Sequence, residues 1–418
     1  MIKRPKKPLG KPIFRGFQLF NRPYYYYYNI YEDRGRNFLK ICKFYEKGLK
    51  PMKFNCDRQK LNKAVENIQR STSSKSNMAI LEGILLKAEN NTLTLCGYDN
   101  EIGVTTTIYA NVKKEGAVVV TAKLFSDIIK RMPEDLITIE SDEKLIMHIS
   151  AGKAEYKIIG MSAEEYPELP AVASNEKISI DGKTLKSMIR QTMYAVSDKD
   201  ENPTQKGSLF EMENGIFRIV SVDGYRLAVR TEKISYNGEK SIIVPRKSLQ
   251  EIINLISDDI DEVVIRAGGR HLTMLIGEYT IITRLIEGEF MNYKATIPSA
   301  FSTEAVINTR MFSSTIERMS LLLTDRIKTP IKCCFENNIV TTSCNTSKGE
   351  ATDEFEAQIN GSYVEIGLDN KYILEALKFS ETDEVKIKMN GSLKPIVILP
   401  SDGDEFIFLV MPVRLRNG

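Results

Sequence analysis

At 418 residues, with 42% hydrophobic and 27% charged residues, the chain is long enough for about three domains and apolar enough to fill their cores. Two histidines, no tryptophan and six cysteines without CxxC spacing speak against a zinc site and leave little for acid–base or nucleophilic chemistry. The formal net charge of +3 conceals two unlike parts: residues 1–51 hold 13 Lys and Arg against 3 Asp and Glu, whereas the remainder holds 45 against 52.

In chain order, residues 1–51 come first and are expected to be a disordered basic tail. The run Tyr24 to Tyr28, scattered Pro and Gly, and the lack of an apolar period leave no face to bury. Basic residues among aromatics suit nucleic acid by charge and stacking, though only weakly here. No run of about 18 apolar residues follows, and no charged-then-apolar leader precedes, so a cytoplasmic protein without a membrane span is expected.

From Met52 onward one pattern is written three times. Each copy opens with a strand and a helix: Met52 to Cys56 with the helix from Arg58, Lys177 to Ile180 with the helix from Lys183, and Thr303 to Ile307 with the helix from Thr309. Asp57, Asp181 and Asn308 stand where N-caps are wanted. A second strand and helix follow at Val118-Val119-Val120, Ile242-Ile243-Val244 and Val364-Glu365-Ile366; aligning Val120, Val244 and Ile366 gives offsets of 124 and 122 residues. Short alternating strands then begin at Glu134, Asp261 and Asp383. Each copy is thus expected to be an α+β unit of two helices and seven or eight strands. The expected boundaries are 52–172, 173–298 and 299–418, with aromatic-and-proline connectors at Tyr166 to Pro170 and Phe290 to Pro298.

Candidate catalytic and ligand motifs fail on their spacing. Gly182-Lys183-Thr184 mimics the end of a phosphate-binding loop, but Lys177 occupies the position of the motif's first Gly. Asp198-Lys199-Asp200-Glu201 lacks the Gly and distal Glu of a calcium loop. The cysteines, Cys42, Cys56, Cys96, Cys333, Cys334 and Cys344, read as buried reduced thiols, and His148 and His271 as strand residues. No catalytic residue, metal or cofactor is expected. The six expected helices, by contrast, hold 16 Lys and Arg against five Asp and Glu, including Lys123, Arg190, Arg246 and Lys247. Helices that tolerate surface cations and helices that face phosphates would both read this way.

Ser221-Val222-Asp223-Gly224-Tyr225-Arg226-Leu227-Ala228-Val229 alternates apolar and polar residues around Asp-Gly, the mark of two strands and a tight turn. Together with Leu409-Val410-Met411-Pro412-Val413-Arg414-Leu415, Val244-Pro245-Arg246-Lys247 and Gly288-Glu289-Phe290 to Pro298, it resembles the bacterial DNA polymerase III beta subunits, the sliding clamps, across Met52 to Leu415. The resemblance implies three similarly folded clamp domains per chain and a head-to-tail dimer, a six-domain ring around duplex DNA. Such a clamp gives processivity to the DNA-directed DNA polymerase holoenzyme without an active site of its own. A tandem-domain scaffold that binds peptides but never encircles DNA is the alternative.

By the same resemblance, a groove for short peptides of the replicative polymerase, clamp loader and repair proteins is expected at Val222, Gly224, Tyr225, Arg226, Leu227, Pro245, Leu249, Leu409, Met411, Pro412 and Val413, with Gln205 making one edge more polar. Lys75 and Lys206 join Lys123, Arg190, Arg246 and Lys247 as residues facing double-stranded DNA, which is held without sequence preference. The dimer seam is assigned Lys153, Tyr156 and Ile158 on the first domain and Leu322, Leu323, Glu350, Asp353 and Glu354 on the third. Glu155 stands where a basic residue is common in the family. Met52-Lys53-Phe54 matches the family's usual start and Glu46-Lys47-Gly48 fits a translated ribosome-binding site, so residues 1–51 are expected to come from a misplaced start codon.

Overall fold

A computed structural model describes residues 51–172, 176–199, 201–323 and 329–415. Of the expected tail only Pro51 lies among the described residues, so the expected disorder and misplaced start codon fall outside them; Met52 itself is described and buried. The first domain runs β1 (Lys53–Asp57), α1 (Arg58–Ile68), β2 (Gly83–Glu89), β3 (Thr92–Tyr98), β4 (Ile102–Tyr109), β5 (Asn111–Lys114), β6 (Gly116–Thr121), α2 (Ala122–Arg131), β7 (Leu136–Ser141), β8 (Ile146–Ala151) and β9 (Ala154–Ile159). The second runs β10 (Ile178–Asp181), α3 (Gly182–Met193), β11 (Gly207–Glu213), β12 (Ile216–Val222), β13 (Arg226–Lys233), β14 (Lys240–Pro245), α4 (Arg246–Leu255), β15 (Glu262–Gly268), β16 (His271–Ile276) and β17 (Tyr279–Arg284). The third runs β18 (Thr303–Asn308), α5 (Thr309–Ser320), β19 (Ile331–Glu336), β20 (Ile339–Thr346), β21 (Gly349–Glu356), β22 (Gln358–Gly361), β23 (Val364–Leu368), α6 (Asn370–Ser380), β24 (Glu384–Met389), β25 (Ile396–Pro400) and β26 (Phe406–Val410).

Each first helix starts where a side chain can satisfy its free N–H groups. Asp57, Asp181 and Asn308 accept from the N–H of Lys60, Thr184 and Met311, contacts of the kind that contribute about 1 kcal/mol each. Pairing repeats as faithfully as capping. In the first domain β1 pairs β7, β7 pairs β8 and β8 pairs β9, while β6, β2, β3 and β4 form a second run; the counterparts in the other domains pair alike. The domains have nine, eight and nine strands, against the seven or eight expected. The difference is β5 and β22, four mostly exposed residues each on a sheet edge, with one apolar side chain apiece, Val112 and Ile359, too short to carry an alternating signal.

Two sheets run across domain boundaries. At the first joint β17 pairs antiparallel with β4, placing Thr283 opposite Ile102; at the second β26 pairs with β13, placing Val410 opposite Arg226. In both, the last strand of one domain extends the fourth strand of the domain before it. The two strands of these classes not used in a joint, β9 and β21, lie at sheet edges. The helices join at the same places: Arg70, just after α1, binds Glu251 of α4 at 2.8 Å, and Gln191 of α3 donates to the Ser380 carbonyl of α6. Fully buried phenylalanines such as Phe54, Phe125, Phe210, Phe217, Phe312 and Phe335 fill the cores beneath.

Candidate functional site

The outer face of the second joint is built on the turn between β12 and β13. Val222 and Leu227 are the last opposed pair of that hairpin, and Leu409 of β26 lies opposite Leu227 across the joint. These three, with Leu209, Val220 and Ile243, form a separate apolar cluster on this face of the sheet. Asp223 Oδ1 accepts from the N–H of Tyr225 and Arg226 at 3.0 and 3.1 Å, an arrangement that needs φ of +86° at position 224, where glycine has no side chain to strain. Nothing lies within 4 Å of a Cβ placed there, so the Gly224 backbone is open to approach.

Arg226 is 8% exposed, and its Nε donates to Asp223 Oδ2 at 2.9 Å. The Tyr225 carbonyl accepts from the Met411 N–H at 2.8 Å, and the Gly367 carbonyl from the Val413 N–H at 2.8 Å, so the segment through Pro412 is tied down on both sides. Tyr225 and Met411 remain 47% and 38% exposed beside buried Leu227 and Leu409. The result is an apolar floor with an aromatic and a thioether at its rim, chemistry suited to leucine and aromatic anchors of a peptide.

Two expected members of the groove are placed elsewhere. Leu249 is fully buried with the α4 face that also carries Ile252 and Leu255, in the large core rather than the outer cluster. Pro245 is opposite Gly207 at the end of β14, three strands from β13, about 14 Å by strand spacing. Other residues reach the groove without having been expected there. Tyr372 of α6 stacks on Tyr225 with centroids 5.8 Å apart, and Met291 lies 3.9 Å from Gln205 Nε2. Tyr293 in the following linker donates to Glu211 Oε2 at 2.8 Å, and Lys294 binds its other oxygen at 3.1 Å. Burial pushes the Glu211 carboxyl up, but those two bonds outweigh it and leave it below its ordinary value. A cavity of about 720 Å³ separates this linker from the β14 edge.

The expected DNA-facing residues divide in two. Lys75 and Lys123 are exposed, with no ion pair among the described residues, and Lys206 is half-buried. Arg190 binds Glu381, Arg246 binds Asp198, and Lys247 binds Asp99. Arg190 and Lys247 thereby link neighbouring domains. Of the seam residues, Tyr156 and Ile158 are on β9 and Lys153 in the turn before it; Glu350, Asp353 and Glu354 are on β21, and Leu322 and Leu323 pack partly buried after α5. Arg318 binds Asp353 within the domain.

Burial pushes the Cys56 and Cys96 thiols up to about 12, so both stay protonated. His148 and His271 lie on β8 and β16, in different domains. No group of metal-ligating side chains occurs among the described residues, and no helix there is long and apolar enough to cross a membrane.

Family models match the chain three times: the DNA polymerase III beta subunit N-terminal domain at 52–170, its central domain at 179–292 and its C-terminal domain at 294–414. The beta sliding clamps of Halalkalibacterium halodurans and Bacillus subtilis are 29% and 28% identical, each covering 87% of this chain and aligned over 100% of its own length. Among solved structures, the Bacillus subtilis DNA polymerase sliding clamp superposes with a TM-score of 0.85 at 28% identity, covering 87% of this chain and 100% of its own. A Pseudomonas aeruginosa sliding clamp bound to griselimycin gives 0.83 at 26%, with the same coverage. With three consecutive domain matches and a shared fold, the chain belongs to the family of DNA polymerase III beta subunits, the DNA sliding clamps.

Proposed function

We propose that this clamp closes as a head-to-tail homodimer around duplex DNA and offers the second-joint groove to short peptides of the replicative polymerase, clamp loader and repair proteins. The observation that carries the ring is the repeated joint. Last strand pairs with preceding fourth strand twice within the chain, and β9 and β21 are the last and fourth strands left at sheet edges. Two copies that use the same joint at both seams close a six-domain ring, which is what a heterologous contact does when its rotation closes.

Hairpin register extends the reading to single residues. Ile102, Arg226 and Gly349 hold equivalent places on the fourth strands, and Ile158, Thr283 and Val410 on the last strands. Ile158 therefore comes opposite Gly349, Lys157 opposite Glu350, and Ala154 opposite Asp353. Leu321, thirteen residues past the Asn308 cap and 80% exposed, occupies the place of Arg70 and Tyr194, which bind Glu251 and stack on Phe379 in the existing joints. It meets α2 of the second copy. Around the hole, Lys75, Lys123 and the basic helices attract phosphates without reading bases, and topology retains the ring.

Sedimentation tests the seam. Glu350→Lys places like charges opposite each other at two seams per ring, and the dimer Kd rises on the order of tenfold or more. Adding Lys157→Glu restores the pair and the dimer. A dimer indifferent to both changes contradicts the register, and a monomer at every concentration contradicts the ring.

A further inference from the structure

We propose that Glu375 is a positioning residue for the peptide groove, acting across the second joint through Arg226. The inference rests on the reading of that groove as the peptide site. A guanidinium as buried as that of Arg226 needs matched charge on the protein side. Two carboxylates supply it: Asp223 Oδ2 at 2.9 Å from Nε, and Glu375, whose Oε2 contacts Nη1. The rings of Tyr194 and Tyr372 complete the cage, 5.5 and 4.8 Å from the guanidinium carbon.

The two carboxylates hold different things. Asp223 belongs to the turn it fixes, whereas Glu375 belongs to α6 of the third domain, the domain that also supplies Leu409 and Met411. Tyr372, three residues earlier on the same helix, stacks on the exposed Tyr225 ring, and the Tyr225 carbonyl holds Met411. Both rim residues of the groove are therefore set by the turn that the Arg226–Glu375 pair fastens to α6.

The first joint supplies an internal comparison. Glu251 lies five residues past the start residue of α4, as Glu375 does past that of α6, and it too reaches an arginine of the preceding domain. There the arginine is Arg70, after α1, while the place of Arg226 beside the equivalent turn belongs to Ile102. The helix position makes an interdomain ion pair at both joints, but only at the second does that pair grip the turn.

The test is a titration of a fluorescein-labelled Gln-Leu-Ser-Leu-Phe peptide with the full chain and with Glu375→Gln, at low and high salt, beside thermal unfolding of both. Positioning predicts a Kd raised about tenfold that persists at high salt, because a buried pair is little screened. A rise that vanishes at high salt would make Glu375 a long-range attractor instead, and an unchanged Kd with a lowered unfolding midpoint would leave it merely structural; either overturns the proposal. No binding to the unaltered chain overturns the groove and the positioning role together. Tyr225→Trp supplies an independent readout, since the chain has no tryptophan. Its emission, without peptide, shifts when Glu375→Gln is added; emission that does not move contradicts a displaced turn.

Discussion

At the first joint the three outward positions nearest the turn are Tyr98, Gly103 and Ile282, and at the second they are Val222, Leu227 and Leu409. The strands, register and Asx turn are alike: Asp99 Oδ1 accepts from Glu101 and Ile102 as Asp223 does from Tyr225 and Arg226. What covers the sheet is not. A Cβ on Gly103 would lie 2.5 Å from Leu169 Cδ2, so the linker's own leucine plugs the first face, and Tyr166 fastens that linker by donating to the Cys96 carbonyl at 3.2 Å. At the second joint Leu227 fills the corresponding space from within the sheet. Its linker, turning at Gly288 with φ of +126°, adds Tyr293 to the apolar cluster and anchors on Glu211 of β11, yet leaves Tyr225 and Met411 exposed. One scaffold thus makes a self-sealed joint or an open groove, depending on whether the floor or the linker supplies the leucine.

The largest effect that separates the two faces is expected from Met411→Ala combined with Leu227→Ala. Losing two anchors at about 1 to 3 kcal/mol each weakens Gln-Leu-Ser-Leu-Phe binding on the order of a hundredfold or more, measured by anisotropy, with the dimer intact. Leu227→Ala also removes a buried side chain, so Met411→Ala alone, at a half-exposed position, isolates the groove from stability; it should cost about tenfold. Undiminished peptide binding would show that the ligand sits elsewhere.

A smaller effect is expected from putting the second joint's residue into the first. Gly103→Leu competes with Leu169 for one space and destabilises by about 1 to 3 kcal/mol, the usual cost of overpacking. Adding Leu169→Gly relieves the clash, and the thermal midpoint recovers most of the loss. If the double variant is no better than the single, Leu169 is not the plug.

The smallest effect concerns the second linker and acid. The Glu211 carboxyl is held below its ordinary 4.5, so its contribution is present above that value and fades as pH falls through the lower, folded value. Hydrogen exchange across residues 286–297 should rise in that acid window, and Glu211→Gln should flatten the pH dependence. Equal exchange profiles for the two proteins would remove Glu211 as the linker's anchor.

Much of this was legible in residues that obey local rules. Asp57, Asp181 and Asn308 announced three helix starts because capping depends on a side chain and the next few N–H groups. Asp223-Gly224 announced its turn because only certain residues take its backbone shape. The three copies of the strand-and-helix pattern were visible because spacing survives where residue identity does not. Long-range placement was harder to read. Leu249 and Leu227 are both buried leucines, and nothing local says that one enters the core beneath α4 and the other the outer face of a sheet. Tyr372 and Glu375 reach the groove from another domain, and on α6 they read as an ordinary helical pair. The cations of α3 and α4 were visible as a surplus; that Arg190 and Lys247 spend their charge on Glu381 and Asp99 depends on neighbours more than a hundred residues away in sequence.

In the proposed ring, retention on DNA comes from closure around the duplex rather than from any single contact. This is tested most directly by loading the protein on a nicked circular duplex with a clamp loader, isolating the complex at moderate salt and then linearising the circle. The ring predicts that the protein stays with the circle and slides off once the DNA has ends. Equal retention on circular and linear DNA would contradict it and favour a scaffold that binds along the duplex without encircling it.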